Sequence, residues 1–268
     1  MVDVSEFPII NVNSKVEFID FRKLFNIDEK KAIVIAGPCG VENFETLQCT
    51  AEFLVKLGVN FLRGGLFKPR TSPYSFQGIG RQGLKFMNEI GKFYKMVTVS
   101  EVTDVRNLDL FLQYIDVLQI GSRNMQNFEL LKEVGRCKHP VVLKRGMSAN
   151  IKEFILAAEY IAYEGNRKIL MCERGIRTFE SCTRNTLDVA AIALIKKYTK
   201  IPIIADLSHS LGRTDIVNEI AKCVLNLGAD GLMVEVHPRP KEALSDKDKQ
   251  LNFNEAKLLI DVINKQSC

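Results

Sequence analysis

The sequence predicts an α/β fold of the (β/α)8 TIM-barrel class, on three observations. Eight short runs rich in branched apolar residues recur after residue 31. Between them lie longer stretches whose apolar residues fall three and four apart, the period of an amphipathic helix. The GxGxxG turn of an open, doubly wound sheet is absent, which favours a closed barrel over that alternative. Eight strand-plus-helix units in about 235 residues also match the usual size of such a barrel.

In chain order the predicted strands are AIVIAGPC (32–39), NFLRGGLF (60–67), MVTVSEV (96–102) and DVLQIGS (116–122). PVVLKRG (140–146), KILMCERG (168–175), IPIIADLSHS (201–210) and GLMVEVHP (231–238) complete the set. Helical segments such as NIKEFILAAEYIAYEG and TLDVAAIALIKKYT separate them, and NEAKLLIDVIN is read as the last helix. No Gly/Ser linker or shift in composition divides residues 31–268, which are expected to be one barrel domain. Residues 1–30 are expected to be a short N-terminal extension, able to form a hairpin over the barrel's lower end.

A chain of 268 residues that is 46% hydrophobic can bury a full core. Its net charge of +5 is mild and its Lys and Arg are scattered, which argues against nucleic acid as a partner. It has no basic-then-apolar leader and no run of about 18 apolar residues, which argues against a membrane. Seven cysteines without a CxxC pair read as reduced thiols of a cytoplasmic protein.

In a TIM barrel the carboxyl ends of the strands form the active site, so the residues there carry the chemistry. Arg63, Lys68, Arg70, Arg123, Lys144 and Arg174 would converge on one mouth. Like charges repel unless a ligand neutralises them, so the cluster implies a substrate with more than one anionic group. The segment LFKPRTSPYSFQG (66–78) adds hydroxyls to its cations, and its prolines restrict the loop before a ligand arrives. Cys39, His209, Glu235 and Asp246 offer S, N and O donors to one divalent transition metal such as Mn, Fe, Zn or Co. Taken alone, Cys39 is equally a small buried apolar residue and His209 a satisfied core residue. His237, two residues after Glu235, is left open between metal ligand, support of a ligand and substrate contact.

The ordered motifs AGPCGVEN, RGGLFKPRTSPYSFQG, GSRNMQN, LKRGMSA, CERGIRTFE, DLSHSLGR and EVHPRPKEALSDKDKQL resemble the metal-dependent 3-deoxy-7-phosphoheptulonate (DAHP) synthases. The resemblance spans about residues 31 to 252 and is nearest the subfamily related to 3-deoxy-manno-octulosonate-8-phosphate synthase. It implies the first step of the shikimate pathway to the aromatic amino acids, in which phosphoenolpyruvate and erythrose 4-phosphate give DAHP and phosphate. By the same resemblance Cys39, His209, Glu235 and Asp246 hold the metal. Arg63 and Lys68 lie near the phosphoenolpyruvate carboxylate, with Ser122, Arg123, Lys144 and Arg174 around its phosphate. Pro69, Arg70, Thr71 and Ser72 contact erythrose 4-phosphate, and Lys68 is the candidate for proton transfer.

The resemblance also suggests a homotetramer or homodimer. Two positions depart from the family pattern, Gly40 where Ser is more usual and Cys182 where a small residue is common; neither is expected to touch a ligand. Residues 1–30 are too few for a fused regulatory domain, so no feedback inhibition by aromatic amino acids is expected from within this chain. The alternatives are an octulosonate-phosphate synthase using arabinose 5-phosphate, a Schiff-base aldolase using Lys144, and a non-catalytic anion-binding barrel. KPRTS at 68–72 argues against the first, whose loop reads closer to KANRSS, and the second leaves the metal donors without a role.

Overall fold

In the computed structural model, which describes residues 3–266, eight parallel strands close into a barrel in sequence order. They are β1 (Ile33–Gly37), β2 (Phe61–Arg63), β3 (Val97–Glu101), β4 (Val117–Ile120), β5 (Val141–Lys144), β6 (Ile169–Glu173), β7 (Ile203–Asp206) and β8 (Gly231–Glu235). A short helix, α1 (Phe21–Leu24), precedes them, and α2 (Phe44–Lys56), α3 (Arg81–Tyr94), α4 (Leu108–Tyr114) and α5 (Phe128–Cys137) follow the first four strands. The second half carries α6 (Ile151–Tyr163), α7 (Val189–Tyr198), α8 (Leu207–Leu211), α9 (Val217–Asn226) and α10 (Phe253–Gln266). No helix among the described residues is long and apolar enough to cross a membrane.

Every strand ends before its predicted run does, and β2 and β7 fall furthest short. β2 stops at Arg63, where Gly64 and Gly65 begin the next loop. β7 stops at Asp206, whose Oδ1 accepts from the His209 N–H at 2.9 Å and caps α8. Residues 207–210 therefore form a helical turn where a strand was expected, because an Asp at the cap satisfies an otherwise unpaired N–H.

Successive strand residues face opposite sides, so each strand sorts its own sequence. One set of side chains, including Ile35, Phe61, Val99, Val117, Val142, Leu170, Ile204 and Met233, fills the barrel interior. The alternate set, including Leu62, Leu118, Leu143, Met171, Ala205 and Leu232, packs beneath the helices. Gly37, level with Glu235 across the β1–β8 pair, has a φ of +148°. A Cβ there would lie 2.1 Å from the Arg63 carbonyl oxygen, so this close approach requires glycine.

Among the described residues, the N-terminal extension has no hairpin and is held by other contacts. Its N–H groups at Ile9 and Ile10 donate to Glu159 of α6 (2.9 and 3.0 Å), and Val12 N donates to Tyr198 O (2.9 Å). It then turns into α1, capped by Asp20, and places Phe21 wholly within the barrel's apolar interior cluster. Phe25 bridges Phe21 and Phe61 with edge-on ring contacts at 5.7 and 5.2 Å. The driving force is burial of aromatic surface. Phe21→Ala is expected to cost about 3–5 kcal/mol of stability, measured by denaturant unfolding. Metal affinity at the opposite end should stay within about twofold of wild type, since Phe21 touches no donor; an unchanged unfolding midpoint would contradict this role.

Candidate active site

At the carboxyl end the interior-facing positions turn from apolar to polar. Arg63 follows Phe61 by two residues, Glu101 follows Val99, Gln119 follows Val117 and Lys144 follows Val142. Arg174, Asp206 and Glu235 stand in the same relation to Cys172, Ile204 and Met233. The period of two thus brings seven polar side chains to one mouth.

Cys39, His209, Glu235 and Asp246 meet there, with one donor atom from each lying within 4.8 Å of the others. Cys39 Sγ is 2.8 Å from Asp246 Oδ2, and His209 Nε2 is 3.4 Å from Glu235 Oε1. His209 Nδ1 lies 2.8 Å from Asp206 Oδ2, so the carboxylate fixes the Nδ1–H tautomer and leaves the Nε2 lone pair facing the cluster. Burial holds the His209 pKa below its ordinary value against the pull of Asp206, keeping the ring neutral and able to ligate. Burial also pushes the Cys39 thiol well up, reinforced by Glu235.

This donor set fits a divalent transition metal. Glu235 Oε1 accepts from Arg63 Nη1 at 3.0 Å, but Glu235 Oε2 is buried with no hydrogen-bond partner. A carboxylate oxygen left bare in this way is costly unless a cation takes it. A thiol, an imidazole and two carboxylates together suit Mn, Fe, Zn or Co better than Mg or Ca.

Beside the donors lies a cleft of about 270 Å³. Arg63, Lys68, Pro69, Arg70, Thr71, Ser72, Ser122, Arg123, Lys144 and Arg174 all line it, together with His209 and Asp246. The cations differ in how they are neutralised. Arg63 pairs with Glu235, and Lys144 hydrogen-bonds Asp206, which is fully buried. Burial opposes ionisation of Asp206, yet His209 and Lys144 hold its pKa well below the usual carboxylate range. Arg174 is 3% exposed, its Nε has no partner, and its Nη1 reaches only the Gly175 carbonyl at 3.2 Å. Burial lowers its pKa accordingly. A guanidinium desolvated without a carboxylate is what an anionic ligand would satisfy.

Lys68 Nζ donates to the Cys39 carbonyl and approaches Cys39 Sγ, both at 2.9 Å, so it stands between the donor cluster and the loop 69–72. Arg145 and Glu173, also strand-end residues in the sequence, turn the other way. Arg145 Nη1 binds Glu173 Oε2 at 2.9 Å and Asp188 Oδ2 at 2.8 Å, away from the mouth.

His237 lies outside the cleft. β8 ends at Glu235, so the expected alternation stops, and buried His237 stands 3.8 Å from Glu42 Oε2 while its Nδ1 accepts from the Arg239 N–H at 3.1 Å. It is therefore placed neither as a donor nor among the lining residues. The sequence reading missed Glu101, Gln119 and Arg184, which do line the cleft. The first two carried a signal, being the polar residues that end the interior-facing rows of β3 and β4.

The model of the DAHP synthetase I family matches residues 10–267. The phospho-2-dehydro-3-deoxyheptonate aldolase of Thermotoga maritima is 51% identical over 232 residues, 87% of this chain and 69% of that protein. A 2-dehydro-3-deoxyphosphooctonate aldolase of Stenotrophomonas maltophilia is 28% identical over 255 residues, 88% of this chain and 91% of that one. The crystal structure of the Thermotoga maritima DAHP synthase superposes with a TM-score of 0.85 at 48% identity, over 88% of this chain and 69% of that one. A truncated form of 3-deoxy-D-arabino-heptulosonate 7-phosphate synthase from the same organism gives 0.88 at 42% identity, over 97% and 95%. The chain belongs to the DAHP synthetase I family, and the reaction it catalyses is the DAHP synthase condensation of phosphoenolpyruvate with erythrose 4-phosphate.

Proposed function

We propose that the condensation runs in this cleft, with one divalent metal held by Cys39, His209, Glu235 and Asp246. The observation that carries the assignment is the pairing of this donor set with Arg174, a buried cation that has no acidic partner. Phosphoenolpyruvate lies among Arg63, Lys68, Ser122, Arg123, Lys144 and Arg174, carboxylate toward the first two and phosphate toward the others. Erythrose 4-phosphate reaches in from Pro69, Arg70, Thr71 and Ser72, whose loop keeps Arg70 half-buried and Thr71 and Ser72 exposed to incoming ligand.

A divalent metal bound to these donors supplies a Lewis acid that polarises the aldehyde carbonyl. The residues of the chain do the rest. The fixed cations bring two mutually repelling anions together, so that carbon 3 of phosphoenolpyruvate attacks the aldehyde carbon. Water then adds at carbon 2, and the carbon–oxygen bond to phosphate breaks. Glu101 is the lining carboxylate outside the donor set, and we assign it the hydrogen bond to that water. Lys68, next to both substrate regions, donates a proton to the alkoxide left on the former aldehyde carbon, giving the new hydroxyl, and recovers one from the water that adds at carbon 2.

The partners are thus two small phosphorylated substrates. Self-association as a dimer or tetramer fits an exposed aromatic surface on α5 and α6, where the rings of Phe128 and Tyr160 meet at 4.8 Å, tilted by 32°, and Tyr163 of α6 is also exposed. The free thiols among the described residues suit a reducing compartment such as the cytoplasm.

Chelation followed by Mn²⁺ should abolish and then restore phosphate release from phosphoenolpyruvate plus erythrose 4-phosphate, with the seven-carbon product seen by mass. Full activity after chelation, or faster turnover with arabinose 5-phosphate, would sink the assignment. Arg174→Ala should lower kcat/KM for phosphoenolpyruvate about 100-fold, the loss of charge-assisted hydrogen bonds worth about 1.5–3 kcal/mol, and Arg174→Lys should recover part of it. Equal kcat/KM in all three proteins would remove Arg174 from the site. Asp206→Asn should weaken metal binding about 10- to 100-fold by releasing His209, measured by competition with a chromogenic chelator.

A further inference from the structure

We propose that Gln250 is a positioning residue that holds the metal donors in register, a buried amide tying Cys39 to the loop that carries Asp246. The proposal rests on the metal reading above and deepens it. Gln250 is 2% exposed and does not line the cleft. Its Oε1 accepts from the Cys39 N–H at 2.8 Å, and its Nε2 donates to the Ser245 carbonyl at 2.9 Å. One neutral side chain thereby joins the end of the first strand to the residue immediately before Asp246.

The same short segment engages a third donor. Leu251 N, next to Gln250, donates to the Glu235 carbonyl at 2.8 Å, and His237 N returns a bond to Leu251 O at 3.0 Å. Residues 245–251 therefore carry Asp246, brace Cys39 and run beside Glu235. His209 is held separately, by Asp206.

Asp246 needs such bracing. Its φ is +56°, in the left-handed region that a non-glycine side chain adopts at a cost. Lys249 helps, with its N–H on Asp246 O at 3.3 Å and its ammonium 2.8 Å from Asp246 Oδ2. The Gln250 amide adds a side-chain tie between the loop and Cys39 to these backbone bonds, because it meets an N–H on one side and a carbonyl on the other. A leucine of similar size would leave both backbone groups unpaired in a dry site. The donors come from positions 39, 209, 235 and 246, so a loose loop would move Asp246 away from the rest.

The test is Co²⁺ titration of the full chain after chelation, following the thiolate-to-cobalt absorption band of Cys39 and the d–d bands that report donor geometry. In Gln250→Leu the affinity is expected to fall about tenfold or more and the d–d bands to shift. Asn166→Leu is the control, removing another buried amide that bridges the His139 carbonyl and the Lys168 N–H, both at 2.8 Å. It should lower the unfolding temperature yet leave Co²⁺ affinity within about twofold, because it makes no contact with the donors. Wild-type affinity and bands in Gln250→Leu would overturn the proposal. Absence of the thiolate band in the wild-type protein would overturn the metal reading, and the proposal with it. If Gln250→Leu does not fold, Gln250→Glu decides the matter, since it keeps an oxygen for Cys39 N–H and loses the donation to Ser245. A weakening of about threefold or more is expected there, and unchanged affinity would again overturn the role.

Discussion

The working end of the barrel depends on one buried carboxylate. Asp206 is wholly removed from solvent and still ionised, because Lys144 and His209 both bind it. A lone charge in such a place would cost several kcal/mol, so the three groups stand or fall together. Asp206 also ends β7 by capping α8, which is what turns His209 back toward the donors. Strand termination, imidazole tautomer and the seat of Lys144 are therefore one arrangement, with a single side chain at its centre.

The barrel divides stability and chemistry between its ends. Below, Phe21 closes an interior made of Ile33, Ile35, Phe61 and their neighbours. Above, the same rows of side chains become Arg63, Glu101, Gln119, Lys144, Asp206 and Glu235. Packing many charges under low exposure is unfavourable except where each finds a partner, and the pairs Arg63–Glu235 and Lys144–Asp206 meet that condition. Arg174 and Glu235 Oε2 do not. Arg63 Nε is unpaired as well; of these atoms the Arg174 guanidinium suits an anion and Glu235 Oε2 a cation, as the proposed site for two phosphorylated substrates and a metal would require.

Much of this was legible in the sequence, because alternation and helical periodicity are written in side-chain order. The strand positions could be read from the apolar runs, and the residues singled out in and just after them, with Asp246 from the loop after β8, are the ones the fold gathers at one mouth. The rest depended on where strands stop. Had β8 continued, His237 would have faced the mouth with Glu235; the chain instead turns after Glu235 and leaves His237 with Glu42. Arg145 and Glu173 look like site residues by composition, but each is one position out of phase with the interior row. The course of the extension was less legible, because the burial of Phe21 is decided by the open lower end of the barrel rather than by its neighbours in sequence.

Gly40 shows how a position that looks remote in sequence can bear on the chemistry. From the motifs it lies beside the donors without touching a ligand, but in the fold the stem of Lys68 passes directly over it. A Cβ at position 40 would come 3.0 Å from Lys68 Cδ, 3.2 Å from Phe76 and 3.3 Å from Ser245 Oγ. On the other side, a Cβ at Gly65 would stand 2.7 Å from the Cys39 carbonyl oxygen and 3.4 Å from Lys68 Nζ. Lys68 thus reaches Cys39 through a gap bounded by two glycines, with its ammonium on the Cys39 carbonyl. Any side chain at position 40 would displace that stem by a few tenths of an ångström, the scale on which proton transfer and substrate alignment are sensitive. The geometry of Lys68, the lysine proposed to transfer the proton, is therefore set partly by a residue that has no side chain, and the tolerance of this site to a serine there depends on how far Phe76 and Ser245 can give way.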